Sequence, residues 1–170
     1  TGGTSKLSRE ETDRVVKIQI DLYKKYFPDT QLCISDDVAG SSRPGSSFPS
    51  TEYAFSQGVT LRDDSILVQK APKQWYHAAM AQPVWPALPV ILEHEHYGLS
   101  KERNAWDPSL LVEPVEHYHA SYMSVHWWPD AFLKENKDAV DKINRRLGYR
   151  LELREASYPK EVSIGAPFKV

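Results

Sequence analysis

Two glutamates at the end of an apolar segment are the residues best suited to catalysis. Glu93 and Glu95 follow the segment Pro89-Val-Ile-Leu92, which has the composition of a buried strand. Side chains alternate between the two faces of a strand, so both glutamates share one face and Val90 and Leu92 share the other. If the apolar side chains meet covering helices, the carboxylates face the opposite side of the sheet. A carboxylate placed there is a candidate nucleophile, or a group with a raised pKa.

A structural interpretation of the same strand stays open. Its acidic end could lie in solvent, or a carboxylate could pair with Arg62 without any catalytic role. Because unpaired glutamates are seldom buried, the pattern favours the functional interpretation. Glu93 is the stronger candidate, since it lies deeper in the strand than Glu95.

Strand alternation places further polar residues beside these glutamates. In the predicted strand from Gly58 to Asp64, Arg62 and Asp64 share a face. Arg62 could orient a carboxylate or bind a substrate hydroxyl, and Asp64 could hydrogen-bond a sugar. An ion pair that only stabilises the fold explains these two residues equally well.

A third predicted strand, Ser121 to Trp128, ends in aromatic residues. His126 and Trp128 share one face of it, and Trp127 takes the other. A tryptophan at the rim of a sheet can stack on the apolar face of a sugar ring, although large aromatic side chains are more often core residues.

The histidines and the single cysteine offer weaker signals. His94 and His96 form an H-x-H pair on a predicted strand. His117 and His119 form a second H-x-H pair near the end of a predicted helix. The alternation that sends Glu93 inward sends His94 outward, and residues two apart on a helix diverge, so three convergent zinc ligands are not expected. Cys33 is predicted to be a buried packing residue rather than a nucleophile. We therefore predict no metal and no cofactor.

The elements that position these residues alternate along the chain. Ser8 to Phe27 begins with a capping box and has apolar residues at helical spacing, which predicts a helix that buries Val15, Ile18, Leu22 and Tyr26. Gln31 to Ser35 reads as a strand that ends at Asp36, and residues 39–57 as a long loop.

The remaining segments continue the alternation. Helices are predicted for 73–82, 107–119 and 129–147, strands for 58–64, 89–96 and 121–128, and a loop for 97–106. Alternating helices and strands predict an α/β fold with a parallel sheet. The carboxyl ends of parallel strands build the site, so we expect one rim to gather Asp36, Asp37, Asp63, Asp64, Glu93, Glu95, His126, Trp127 and Trp128.

Composition limits the function classes. The chain has 170 residues, 41% of them hydrophobic, which suits one globular domain. Its net charge of −2 offers no basic surface for nucleic acid, and it has no apolar run long enough to span a membrane. The strand-like pattern of residues 149–154, followed by a turn into a further strand, leads us to expect that the chain belongs to a longer protein.

Several of these segments together resemble one family. They are Arg62-Asp-Asp-Ser-Ile-Leu67, Pro89-Val-Ile-Leu-Glu93, Ser121 to Trp128, and Arg146-Leu-Gly-Tyr-Arg-Leu-Glu-Leu153. The chain resembles the carboxyl-terminal half of the barrel in the bacterial domain-of-unknown-function family 4832, which is glycoside-hydrolase-like. It departs from that family in the Glu-His-Glu-His run that begins at Glu93, and in the acidic end of its first strand.

The resemblance implies an architecture and a location. Residues 1–148 would be the second half of a (β/α)₈ barrel, and residues 149–170 the start of a β-sandwich or a linker. A glutamate on a barrel strand before Thr1 would supply the second carboxyl group, and the rest of the longer chain would be a partner. Such proteins are commonly exported, which implies an extracytoplasmic location.

The resulting hypothesis is a glycoside hydrolase that uses two carboxyl groups. Glu93, with Glu95 as the alternative, is the expected nucleophile, or the general base if the enzyme inverts configuration. The sugar would be bound by Arg62, Asp64, Asp36, His126, Trp127 and Trp128. Two other hypotheses stay open, namely a carbohydrate-binding barrel without catalysis and a metal-dependent hydrolase that uses the histidines.

Overall fold

In the part of the chain that the structure describes, the strands form a four-stranded parallel sheet. The computed structural model describes residues 7–35, 49–66, 78–125 and 128–148, together with 155–157, 159 and 161. The strands are β1 (Cys33–Ser35), β2 (Thr60–Ile66), β3 (Ile91–His94) and β4 (Tyr122–Ser124). Each strand lies beside the next one in the sequence, and all neighbours are parallel. The predicted α/β fold with a parallel sheet is confirmed.

Six α-helices accompany the sheet in the described ranges. They are α1 (Arg9–Tyr26), α2 (Pro49–Ser56), α3 (Tyr97–Glu102), α4 (Val112–His117), α5 (Pro129–Glu135) and α6 (Lys137–Asn144). Short 3₁₀ helices cover Ala78–Ala81 and Pro108–Leu111. None of the helices described here has the length and apolar character that crossing a membrane requires.

The two faces of the sheet differ in chemistry. On one face Leu61 and Leu92 are fully buried, and His94 stacks on Phe132 of α5, so this face packs against helices. The side chains that alternate with these belong to the other face, which carries most of the candidate site. The predicted separation of Leu92 from Glu93 is therefore confirmed.

Helix α1 begins as predicted but buries a different side. The Ser8 side chain accepts a hydrogen bond from the Glu11 N–H, and the Glu11 carboxylate accepts one from the Ser8 N–H, which completes the capping box. The prediction of its buried stripe was wrong. The buried residues of this helix are Asp13, Val16 and Ile20.

The stripe predicted to be buried is instead exposed. The exposed fractions are 39% for Val15, 52% for Ile18, 49% for Leu22 and 65% for Tyr26. The helix has two apolar stripes, and spacing alone did not show which one meets the sheet. Asp13 accompanies the buried stripe because Arg9, which also contacts Ser50 of α2, donates a hydrogen bond of 2.7 Å to its carboxylate.

Two predicted loops contain helices. Pro49–Ser56 lies within the stretch predicted as a loop over 39–57, and its Ala54 is fully buried. Tyr97–Glu102 lies within the second predicted loop, and its Tyr97 and Ser100 are buried. The two helices have only eight and six residues, which is too short for a clear helical period in the sequence.

The last predicted helix is divided in two. Asn136 separates α5 from α6, and its side chain donates to the Phe132 carbonyl and accepts from the Trp106 indole N–H at 3.1 Å. Phe132, Ala139 and Ile143 are buried. Gly148 has φ +75°, the left-handed conformation expected of a glycine after a helix.

Candidate functional site

One face of the sheet gathers polar side chains from all four strands. In-register neighbours on parallel strands point to the same face, and the register pairs Ser35 with Arg62, Arg62 with Ile91, and Glu93 with Ser124. We call this surface the polar face. It is defined by Cys33, Ser35, Thr60, Arg62, Asp64, Ile91, Glu93, Tyr122 and Ser124.

An arginine on the polar face binds two carboxylates. Arg62 Nη1 lies 3.1 Å from Asp64 Oδ2, and Arg62 Nη2 donates to Glu93 Oε2. Burial alone would lower the pKa of Arg62. The hydrogen bond to Glu93 and the negative charges of Asp64 and Glu93 outweigh that effect and raise the pKa. The guanidinium is therefore a permanent cation shared by both acidic groups.

Glu93 is largely enclosed but not sealed from solvent. The residue is 8% exposed, and its side chain 11%, whereas the Arg62 and Asp64 side chains keep 30% and 28%. This is the placement that alternation predicted for Glu93. The ion pair with Arg62 is also the one that the structural interpretation of the strand anticipated.

Glu95 lies outside strand β3 and has other partners. Its carboxylate accepts a hydrogen bond of 2.6 Å from the Ser100 hydroxyl of α3 and lies 3.9 Å from the Arg103 guanidinium. Because β3 ends at His94, strict alternation does not extend to Glu95. The two glutamates thus contact different residues, and Ser100 was not identified from the sequence.

The other side of β3 holds a fully buried histidine. His94 stacks on Phe132 with ring centroids 4.5 Å apart and meets Trp106 edge-on. Its Nδ1 lies 2.6 Å from the Glu95 carbonyl oxygen. The predicted outward direction of His94 is confirmed. Within the described ranges, no three His, Cys, Asp or Glu side chains converge as a metal site would need.

A second buried carboxylate sits on the helix-covered side of β2. Asp63 is 2% exposed and accepts a hydrogen bond from the hydroxyl of Tyr118, which is itself fully buried. This contact joins β2 to the segment that follows α4. Asp63 was expected at the rim, but the structure places it in the core. No spacing in the sequence links it to Tyr118, which lies 55 residues away.

Trp128 occupies the rim that the sequence predicted for it. It follows β4, precedes α5 and is 44% exposed. Its ring lies beside His96, with centroids 6.4 Å apart. Since β3 and β4 are parallel, His96 and Trp128 both follow the carboxyl ends of their strands.

Cys33 was predicted to be buried, and that prediction was wrong. The cysteine is a free thiol on β1, where it is exposed. It pairs in register with Thr60 and so belongs to the polar face. Among the strands described, β1 contacts only β2, and a residue at a sheet edge has a neighbour on one side only.

A groove beside β1 borders the polar face. It has a volume of about 480 Å³ and lies between α1 and the strand, where Val16, Ile20, Leu32 and Ile34 form part of its wall. Its lining includes Cys33 and Ser35 but none of the site's charged groups. The charged residues of the polar face therefore lie outside this groove.

Several predicted site residues lie outside the described ranges. They are Asp36, Asp37, His126 and Trp127, and the predicted strand over 149–154 is also outside. Of the predicted site residues that are described, Asp64 and Glu93 both contact Arg62. Glu95 and Trp128 lie beyond the strand ends, each with a different set of neighbours.

Comparisons with protein-family models and with curated proteins identify no relative of this chain. The resemblance to the domain-of-unknown-function family 4832 therefore stays a prediction.

Proposed function

We propose that the protein is a glycoside hydrolase whose reaction takes place at the polar face. The observation that carries the proposal is the position of Glu93. Its carboxylate is almost enclosed and lies on the face of the parallel sheet opposite the helices. It is hydrogen-bonded to Arg62, which also binds Asp64. Glycosidic bond cleavage needs such a carboxylate beside the anomeric carbon.

Each charged residue has a role in this proposal. Glu93 attacks the anomeric carbon in a retaining reaction, or removes a proton from the attacking water in an inverting one. Arg62 fixes the orientation of Glu93 through a direct charged hydrogen bond. Asp64, which is more exposed, hydrogen-bonds a sugar hydroxyl. The proton donor is a second carboxyl group. The family resemblance implies that it lies on another strand, and among the residues that the structure describes Glu95 is the alternative.

The proposed setting is half of a (β/α)₈ barrel. Two observations support a barrel: the four parallel strands follow sequence order, and helices cover one face. In a barrel each new strand is added on the same side of the previous one, whereas the strand order of a doubly wound sheet reverses. In a barrel the polar face would line the interior and its mouth. Residues 149–170 would lead towards a β-sandwich, and the protein would act outside the cytoplasm on a carbohydrate.

One observation favours a second function, carbohydrate binding without catalysis. Arg62 already neutralises Glu93 through a direct hydrogen bond, and a carboxylate held in this way is a weaker nucleophile than a free one. The same groups would still bind sugar hydroxyls. Binding alone predicts that the protein retains oligosaccharides but releases no reducing sugar.

Substitution of Glu93 distinguishes the two functions. The wild-type protein, Glu93→Gln and the control Glu102→Gln would be incubated with a panel of poly- and oligosaccharides, and the reducing ends released would be measured. Glu102 is an exposed glutamate on α3. We expect Glu93→Gln to lose about 10²–10⁴-fold in turnover, the range for a lost acid–base group, with the control unchanged. Equal turnover in all three proteins would remove Glu93 from the mechanism.

A further inference from the structure

Trp128 adopts a backbone conformation that is unfavourable for its residue type. Its φ of 53° and ψ of 50° lie in the left-handed region, which a bulky residue rarely enters. Residues held in such conformations cluster at functional sites, where the surrounding structure compensates for the strain. The result here is that a large aromatic side chain is 44% exposed immediately before α5, four residues after the end of β4.

A glycine provides the space for this indole. A Cβ atom added to Gly98 would lie 2.8 Å from Trp128 Cε2 and 3.1 Å from both Cδ2 and Cζ2. The first distance is shorter than the van der Waals contact of two carbon atoms. The Trp128 ring therefore packs against the backbone of α3 at Gly98. The conformation of Gly98 itself is ordinary, so the need for glycine comes from the close approach of the ring.

The ring is thus supported from one side and open to solvent over much of its surface. His96 flanks it at 6.4 Å between centroids, and both residues follow the carboxyl ends of their strands. A supported, partly exposed indole is a surface on which the C–H face of a pyranose ring can stack.

Charge at the polar face restricts which sugar can bind. The cation Arg62 is shared by Asp64 and Glu93, so these three groups carry one net negative charge. A uronic acid or a sulfated sugar would bring a further negative charge to this face without gaining a free guanidinium. Because like charges repel, these groups favour an uncharged sugar over an acidic one.

We infer that Trp128, seated on Gly98, is a stacking platform for uncharged pyranose units, and that Gly98 is its positioning residue. This inference rests on the proposed carbohydrate function and specifies its substrate class. It is carried by the close approach of the indole to Gly98, the exposure of Trp128 and the charges at the polar face.

The test is calorimetric titration with defined oligosaccharides. The probes are hexamers of β-1,4-glucose, α-1,4-glucose, β-1,4-mannose and β-1,4-N-acetylglucosamine, with oligogalacturonate as the acidic probe. The proteins are the wild type, Trp128→Ala, Trp128→Phe, Gly98→Ala and the control Trp85→Ala. Trp85 stacks on His119 and lies before β3, at the opposite end of the sheet. Circular dichroism checks that each variant is folded.

We expect at least one neutral hexamer to bind the wild type more tightly than oligogalacturonate does. Trp128→Ala should weaken that binding at least about tenfold, Gly98→Ala should weaken it in the same direction, and Trp128→Phe and the control should stay within about threefold. Unchanged binding by Trp128→Ala, preference for the uronate, or no binding of any neutral hexamer would overturn the inference.

The outcome is separable from that of the proposed function. If Trp128→Ala loses sugar binding while Glu93→Gln hydrolyses as the wild type does, the result supports the stacking role of Trp128 and contradicts the catalytic role of Glu93. If Glu93→Gln loses turnover while Trp128→Ala binds and hydrolyses as the wild type does, the catalytic role stands and the platform fails.

Discussion

Removing Arg62 tests how strongly the polar face depends on its ion pair. The change is Arg62→Met, which keeps much of the side-chain length but leaves Glu93 as an enclosed carboxylate without its cation. Glu93→Gln is the reciprocal change, and the double variant Arg62→Met/Glu93→Gln completes a thermodynamic cycle. The cycle isolates the interaction between the two side chains from the effect of each substitution alone.

The expected magnitude follows from the exposure of the two groups. The Glu93 side chain is 11% exposed and the Arg62 side chain 30%, so the pair is neither a surface pair nor a fully buried one. Exposed pairs contribute about 0–1 kcal/mol. Removing one partner of a buried pair costs about 3–5 kcal/mol. We therefore expect Arg62→Met to lower the free energy of unfolding by about 2 kcal/mol, with a coupling energy of about 1–2 kcal/mol in the cycle.

Urea denaturation of the four proteins at pH 7 measures these values. A loss of about 2 kcal/mol should lower the midpoint of thermal unfolding by roughly 4–8 °C in a chain of this size. Arg14→Met is the matched control, because Arg14 is exposed on α1 and its loss should change stability by less than about 0.5 kcal/mol. A coupling energy near zero would refute the view that Arg62 holds Glu93 in place.

Four further substitutions probe α1. Ser8→Ala should lower the free energy of unfolding, measured by urea denaturation, by about 1 kcal/mol, because the helix loses its N-cap. An unchanged free energy of unfolding would contradict the capping box. Ile20 is 7% exposed and Ile18 52%. Ile20→Ala should therefore lower the free energy of unfolding by about 2–4 kcal/mol, and Ile18→Ala by less than about 0.5 kcal/mol. Equal losses would contradict this orientation of the helix. For Asp13, burial raises the pKa, but the hydrogen bonds from Ser50 and Arg9 outweigh it and lower the pKa. The stabilisation by ionised Asp13 is therefore present above about pH 4 and is lost as the pH falls, so Asp13→Asn should be less stable than the wild type at pH 7, with the difference shrinking in acid. A difference that is independent of pH between 2 and 7 would contradict the assignment.

Local patterns predicted the sheet and the direction of its side chains. The apolar segments before Asp64 and Glu93 became parallel strands, and alternation placed Leu92 and Glu93 on opposite faces. These features depend on residues that are adjacent in sequence, where the two-residue period of a strand is a direct geometric constraint.

The errors arose where tertiary packing decides between equivalent local options. The two apolar stripes of α1 are similar in sequence, and only contact with α2 and β1 selects the one that contains Val16 and Ile20. Cys33 resembles a core residue by type, but it lies on a strand at the edge of the described sheet. Glu95 was expected to continue the alternation, but β3 ends before it.

Other contacts in and near the site could not be predicted from spacing at all. The Cβ position of Gly98 faces the indole of Trp128, which comes from another strand end 30 residues later in the chain. Tyr118 reaches Asp63 across 55 residues. Such contacts depend on how the strands pair, and no period in the sequence encodes them.

The most direct test of the catalytic role of Glu93 is chemical rescue. Glu93→Ala would be assayed with 2,4-dinitrophenyl glycosides of several neutral sugars, whose leaving group departs without protonation, in the presence and absence of sodium azide. In the rescued reaction azide forms the new bond to the anomeric carbon as dinitrophenolate leaves with the bonding electron pair. We expect Glu93→Ala to be inactive alone and azide to restore turnover with a glycosyl azide as product. Wild-type activity in Glu93→Ala, or an inactive variant that azide does not rescue, would contradict the proposed mechanism.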